Sequence, residues 1–179
     1  MNTIQTPLTF RLATSADVPA LRTLYDEIID AMDASCWHAQ WRKDGYPANA
    51  DFLAAAEQGE LHLAFVGNSL AAAAVFNHHY NPGYNDVPWQ IQCSPHQVLC
   101  IHTLGVSPRM QRCGIASAMV QHAVNIARLK NCKCIRLDVI ETNRPADILY
   151  TKSGFSFRES RRLDYDSVSA VFNMYELLV

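Results

Sequence analysis

The sequence predicts one α/β domain, and three observations carry that prediction. Apolar residues recur at strand spacing and at helix spacing in alternating stretches, so strands and helices are interleaved along all 179 residues. The centre of the chain joins the two patterns. The apolar run 98–106 reads as a buried strand, Pro108 ends it for want of a backbone N–H, and Ile115, Ala116, Met119, Val120, Ala123, Val124 and Ala127 follow at helical spacing. Finally, no repeat, low-complexity tract or linker divides the chain, and its length is enough to bury a core without a metal or disulfide staple.

In chain order, residues 8–12 alternate as a first strand. Thr14, with Asp17 three residues on, makes a capping-box start, and Val18, Leu21, Tyr25, Ile28, Ile29 and Met32 give the next helix one apolar face. Residues 33–47 are irregular, with a turn signal at 44–47; a second helix runs from about Asn49 to Gln58 and stops at Gly59. Residues 61–66 and 70–80 read as strands joined by a short connection at 67–69, and the small-sided run Ala71–Ala74 calls for a closely packed helix. His78 and His79 are neighbours on that strand, so they point to opposite faces; with no third ligand in view, no metal is expected.

The loop 81–97 carries Pro82, Gly83, Pro88 and Pro95, and Trp89 within it favours an ordered, substrate-side segment. After the central strand and helix, Lys130 and Asn131 close the helix, 134–140 is another apolar strand, and Pro145 opens and Gly154 ends one more helix. Residues 155–158 and 170–178 read as closing antiparallel strands, and the charged stretch 159–169 between them as a solvated connection.

Composition narrows the classes of function. Net charge is -2 and the sequence pI about 6.4, which gives no general bias towards nucleic acid or a membrane surface. There is no run of apolar residues long enough to span a bilayer, and the N-terminus lacks the features of a signal peptide, so the expected address is the cytoplasm. Cys36, Cys93, Cys100, Cys113, Cys132 and Cys134 form no C-x-x-C pair and read as free thiols behaving as small hydrophobes.

The turn at 109–117 is where chemistry is expected. The first N–H groups of a helix have no internal partner and carry the positive end of its dipole, so they bind phosphate oxygens. Gly114 lets the backbone approach a pyrophosphate, Ala116 is nearly as small, and Arg109 and Arg112 add charge. No lysine follows Gly114, as a triphosphatase loop requires, and no G-x-G-x-x-G is present. What remains is Gln111-x-x-Gly114-x-Ala116 after Leu104-Gly105-Val106-Ser107-Pro108, which resembles the pyrophosphate loop of the GNAT superfamily, the GCN5-related N-acetyltransferases. A second stretch, Asn143 to Phe155, resembles that family's N-x-x-A-x-x-L-Y-x-x-x-G-F motif at every fixed position, through Asn143, Ala146, Leu149, Tyr150, Gly154 and Phe155.

The resemblance implies a mixed, mostly antiparallel sheet of about six or seven strands, splayed at its middle and flanked by about four helices, in one domain over 1–179. It implies acetyl-CoA as co-substrate, with Leu104, Gly105 and Val106 along the pantetheine arm and the Val106 N–H facing the thioester carbonyl. Gln111, Arg112, Cys113, Gly114, Ile115 and Ala116 would hold the pyrophosphate, assisted by Ser117, with Asn143 and Tyr150 near the arm and the sulfur. Tyr150 is the candidate acid. For His102 two roles stay open, a proton relay through water or a structural strand histidine; His79 and Glu60 are poorer bases. Trp37, Trp41 and Tyr46 either wall an acceptor pocket or pack under a loop, and packing is favoured.

The implied reaction is transfer of the acetyl group to a primary amine of a small molecule or peptide. The alternatives are a non-catalytic acyl-CoA sensor or a transferase using another acyl-CoA. Neither nucleic acid nor membrane is an expected partner, no metal is needed, and a homodimer is left open.

Overall fold

The computed structural model describes residues 7–35, 38–166 and 168–179. Its elements are β1 (Leu8–Leu12), α1 (Val18–Asp33), α2 (Asn49–Glu57), β2 (Leu61–Val66), β3 (Ser69–Asn77), β4 (Val98–Val106), α3 (Ile115–Leu129), β5 (Cys134–Ile140), α4 (Arg144–Lys152), β6 (Ser156–Tyr165) and β7 (Val168–Leu178). The strands form one sheet in the order β1-β2-β3-β4-β5-β7-β6, mostly antiparallel with β4 and β5 parallel. The mixed α/β class read from the sequence is therefore the class that forms. Among the described residues, contacts group the chain into two compact units, one from 7–35, 41–76 and 102–120, the other from 38–40, 77–101, 121–166 and 168–179.

In the first unit, β1 pairs antiparallel with β2 from Leu8↔Val66 to Leu12↔His62, and β2 pairs with β3 through a bulge at Ala64/Phe65. The capping box forms as its spacing predicts: the Thr14 N–H donates to Asp17 Oδ2 at 2.8 Å, and Arg11 closes a bidentate contact on the same carboxylate. That guanidinium hydrogen bond holds Asp17 well below the usual carboxylate range. α1 then buries Leu21, Leu24, Tyr25, Ile28, Ile29 and Met32, the face its 3.6-residue period selects. Ala71 to Ala74 are all fully buried, and Tyr25 of α1 brings its hydroxyl within 3.4 Å of Ala73 O. Small side chains on β3 thus admit the helix closely, as expected. Gly59, at φ +67, ends α2 in the left-handed conformation that glycine adopts without penalty.

In the second unit, β4 and β5 pair over Val98↔Cys134 to Cys100↔Arg136, and β5 pairs with β7 from Cys134↔Leu178 to Ile140↔Phe172. Two expectations are corrected. Residues 159–165 and 168–169 are strand, not a solvated connection: β6 and β7 form one long hairpin, in register from Ser156↔Glu176 to Tyr165↔Val168 with a bulge near Phe157. β6 ends the sheet order, and charges such as Glu159, Arg161 and Arg162 on an edge strand keep it soluble, which is why it reads as a loop. β3 stops at Asn77 and does not reach Tyr80, because the Asn77 side chain accepts the His79 N–H at 3.1 Å and turns the chain.

The segment 81–97 is ordered as a strap over the sheet. Its aromatic residues Tyr84 and Trp89 join Val98, Cys100, Cys134, Ile140, Phe172 and Met174 in one buried cluster. A buried ion pair pins it: Arg136 of β5 donates to Glu176 of β7 at 3.0 Å and to Ile91 O at 2.7 Å, its guanidinium lies 4.4 Å from the Trp89 ring centre, and the Gln90 N–H donates to the other Glu176 oxygen at 2.6 Å. Among the described residues the cysteines are free thiols; Cys36 lies outside them. Burial pushes the Cys134 thiol up to about 12, which fits its reading as a small hydrophobe.

Candidate functional site

The distal half of β4 is held by α1. Tyr25, fully buried between Trp41 and Phe52, donates its hydroxyl to Thr103 O. Thr103 itself sits at φ +48, a conformation that costs a β-branched residue on the order of 1–3 kcal/mol, and its buried hydroxyl has no partner among the described residues. Strain of this kind interrupts the regular strand immediately before Leu104, Gly105 and Val106. A Cβ on Gly105 would stand 2.8 Å from Ile28 Cδ1 and 3.2 Å from the Tyr25 ring, so glycine is needed there for packing on α1. Leu104, Val106 and His102 are half-buried.

The turn after β4 is built differently. Ser107 N–H donates to Ala71 O at 2.8 Å, and the Ser107–Met110 turn closes with a 2.9 Å backbone bond. Gln111 is extended, Arg112 takes φ +63 and Gly114 φ +81. Successive backbone N–H groups in a turn that includes left-handed residues can form concavities that bind anions. Gly114 O accepts from Ala118 N at 3.0 Å, so α3 starts at Ile115 and the amides of Ile115, Ala116 and Ser117 have no carbonyl four residues back within the helix. A Cβ built on Gly114 meets nothing within 4 Å. The turn is therefore open beside Gly114, and amides without helical partners next to open space are compatible with a bound pyrophosphate.

Side chains around the turn sort by exposure. Gln111, Arg112 and Ser117 are exposed, Cys113 and Ala116 half-buried, and Ile115 is a core residue whose contribution is limited to its main chain. Arg109, expected to add positive charge, is exposed but paired at 2.7 Å with Glu27 of α1, whereas exposed Arg112 meets no carboxylate among the described residues.

The second unit carries the other motif. Asn143 caps α4 through a 3.4 Å contact with the Ala146 N–H, Pro145 stands in the first turn, and Gly154 follows the helix at φ +90. Tyr150 is buried on α4, edge-on to Phe155 at 5.4 Å. Burial first, and then the negative charge of Asp138, raises its phenol above the ordinary value, so the hydroxyl keeps its proton at neutral pH. Asp138 on β5 was not a sequence candidate. Apolar neighbours in the run 134–140 disguise it as an ordinary strand position, and the partners that single it out come from distant segments.

The remaining sequence candidates resolve as follows. Trp41 packs its ring 5.3 Å from Tyr25, in line with aromatic packing, while Trp37 lies outside the described residues and Tyr46 is largely exposed. His78 donates from Nδ1 to Val98 O at 2.7 Å. Among the described residues, no cluster of three His, Cys, Asp or Glu could hold a metal ion, and no helix is long and apolar enough to cross a membrane.

Comparison with known proteins draws these features together. The model of the Acetyltransferase (GNAT) family matches residues 25–155. No curated protein matches in sequence. Among solved structures, a GNAT-family acetyltransferase of Streptococcus agalactiae 2603 superposes with a TM-score of 0.80 at 20% identity, covering 96% of this chain and 95% of that one. One from Listeria monocytogenes 4b F2365 gives 0.74 at 17% identity over 100% and 99%. The yncA protein of Salmonella typhimurium, solved with its cofactor acetyl-CoA, gives 0.68 at 14% identity over 97% and 94%. At these identities the structural likeness establishes the fold.

Proposed function

Because the chain belongs to the GNAT acetyltransferase family, we propose that it moves the acetyl group of acetyl-CoA to a primary amine of a small molecule or peptide by direct attack, the chain acting as one catalytic domain. The observation that carries the reading is the turn at 111–117, where left-handed Arg112 and Gly114 lead into the amides that open α3, and the missing side chain of Gly114 leaves open space. Gln111 to Ser117 hold the pyrophosphate, mainly through main chain. Leu104, Gly105 and Val106 meet the pantetheine arm, and the strained strand at Thr103 fixes where their amides face.

In the reaction the amine lone pair attacks the thioester carbon, the C–N bond forms and the C–S bond breaks. The amine proton passes to solvent, and the sulfur leaves as a thiolate. The Val106 N–H steadies the oxyanion, a term commonly worth roughly 3 kcal/mol. Tyr150 meets the leaving sulfur. Even an ordinary phenol is about 1.5 units weaker as an acid than a thiol, so full proton transfer would cost roughly 2 kcal/mol, and burial of Tyr150 increases that cost. Its role is to donate a hydrogen bond to the sulfur, with proton transfer late or absent. A free imidazole is about 4 units less basic than an alkyl amine, so His102 serves as a water-mediated relay and not as the final proton holder.

The test is coenzyme A release across an amine panel with acetyl, propionyl and succinyl donors, beside calorimetric binding of acetyl-CoA. Tyr150→Phe is expected to lower turnover by about tenfold to a hundredfold with nearly unchanged coenzyme affinity. Equal turnover in both proteins rejects its role, and thioester cleavage at background with every amine, despite tight coenzyme binding, points to a sensor.

A further inference from the structure

Two carboxylates lie near the strap in the second unit, and they are treated oppositely. Glu176 is 1% exposed and meets Arg136. Asp138, two residues beyond Arg136 on the same face of β5, is half-buried and meets no cation among the described residues. Instead two phenols grip it: Tyr84 OH donates to Oδ1 and Tyr165 OH to Oδ2, each at 2.9 Å. Tyr84 stacks on Tyr80 at 5.4 Å, and Tyr165 packs edge-on to Phe172 at 5.4 Å, so the surroundings are aromatic. Tethering the strap and the β6–β7 turn needs acceptor atoms only. A full negative charge beside an apolar cluster costs free energy unless a positive charge offsets it. The same charge reaches Tyr150, whose phenol it raises.

We infer that Asp138, oriented by Tyr84 and Tyr165, is an anionic subsite for a cationic group of the acceptor, and that the acceptor is a diamine or another amine carrying a second positive charge. The inference rests on the transferase reading for the word acceptor. The second charge follows from proton affinities. A carboxylate is about 6.5 units less basic than an alkyl amine, so a nitrogen held by Asp138 keeps its proton and has no lone pair for attack. The attacking nitrogen must be a different one. Low local dielectric and aromatic neighbours strengthen the attraction at this subsite.

The test uses the full chain with 1,4-diaminobutane, 1-aminobutane and 1-butanol. By calorimetry without acetyl-CoA, the diamine is expected to bind the wild type, Asp138→Asn to weaken it by about tenfold, and 1-butanol to bind neither. In the transfer assay the wild type should acetylate 1,4-diaminobutane with kcat/KM about tenfold above 1-aminobutane. Unchanged diamine affinity in Asp138→Asn overturns the subsite, as does absence of diamine binding to the wild type. So does equal acetylation of the two amines by the wild type, a comparison that does not depend on the variant folding. Asp138-dependent diamine binding with no acetyl-CoA consumption keeps the subsite and sinks the transferase reading.

Discussion

The turn at 109–117 and the strap at 81–97 are both connections entering or leaving β4, yet they are ordered by opposite means. The strap is held by side chains: a buried ion pair, an arginine over an indole, and the Trp89 Nε1–H donated to Tyr84 O at 2.7 Å. The turn is held by backbone conformation, with left-handed residues at 112 and 114 and exposed side chains around them. A segment that closes on the protein itself spends its polar groups inward. The turn, proposed to receive an anion, leaves the amides that open α3 and the space beside Gly114 unfilled.

Breaking the strap should give the largest effect. Glu176→Gln leaves Arg136 buried without a counter-charge and is expected to cost about 3–5 kcal/mol, lowering the melting temperature by on the order of 10 °C. Coenzyme affinity measured by calorimetry on the same protein should stay within about twofold.

The turn should respond the other way. Gly114→Val meets no protein atom, so its stability cost is limited to the left-handed φ, about 1–2 kcal/mol, while acetyl-CoA affinity should fall by at least about tenfold as the side chain fills the cradle. Unchanged affinity contradicts the loop assignment. The other glycine of the motif sharpens the contrast. Gly105→Ala must displace Ile28 Cδ1 or the pinned Tyr25 ring and is expected to destabilise by about 1–2 kcal/mol, read as a lower denaturant midpoint.

The smallest effect belongs to an exposed pair. Arg11 depresses the folded-state pKa of Asp17, so the contribution of Asp17 is present above the ordinary carboxylate range and is lost as pH falls through the folded value. The melting-temperature gap between wild type and Asp17→Asn should be modest at neutral pH, because the pair is solvent-screened. It should shrink once pH drops below roughly 4. A gap that widens on acidification rejects this assignment.

Much of the framework was legible because it depends on neighbours in sequence. Thr14 and Asp17 cap as a box, Gly59, Asn131 and Gly154 take left-handed φ at helix ends, and Pro145 opens α4. The candidate site was legible for the same reason: a turn motif and a helix motif are each local, and both sit on the elements their spacing requires. What escaped has partners far along the chain. Arg161 reads as a charge in a loop until Asp86, 75 residues away, and the β7 register make it part of an edge strand. Thr103 gives no sign of a left-handed backbone until Tyr25 is known to hold its carbonyl.

By itself, then, the amino-acid order determined the succession of strands and helices, most helix ends and the turn proposed to receive a phosphate, since periodicity, caps and helix-opening amides are properties of a few consecutive residues. Only the tertiary structure decided which charges are matched and which are not: Glu176 neutralised by Arg136, Arg109 drawn to Glu27, Asp138 left to two phenols. Electrostatic partnership is set by distance in space and by burial, and neither quantity is written in the spacing of residues along a chain.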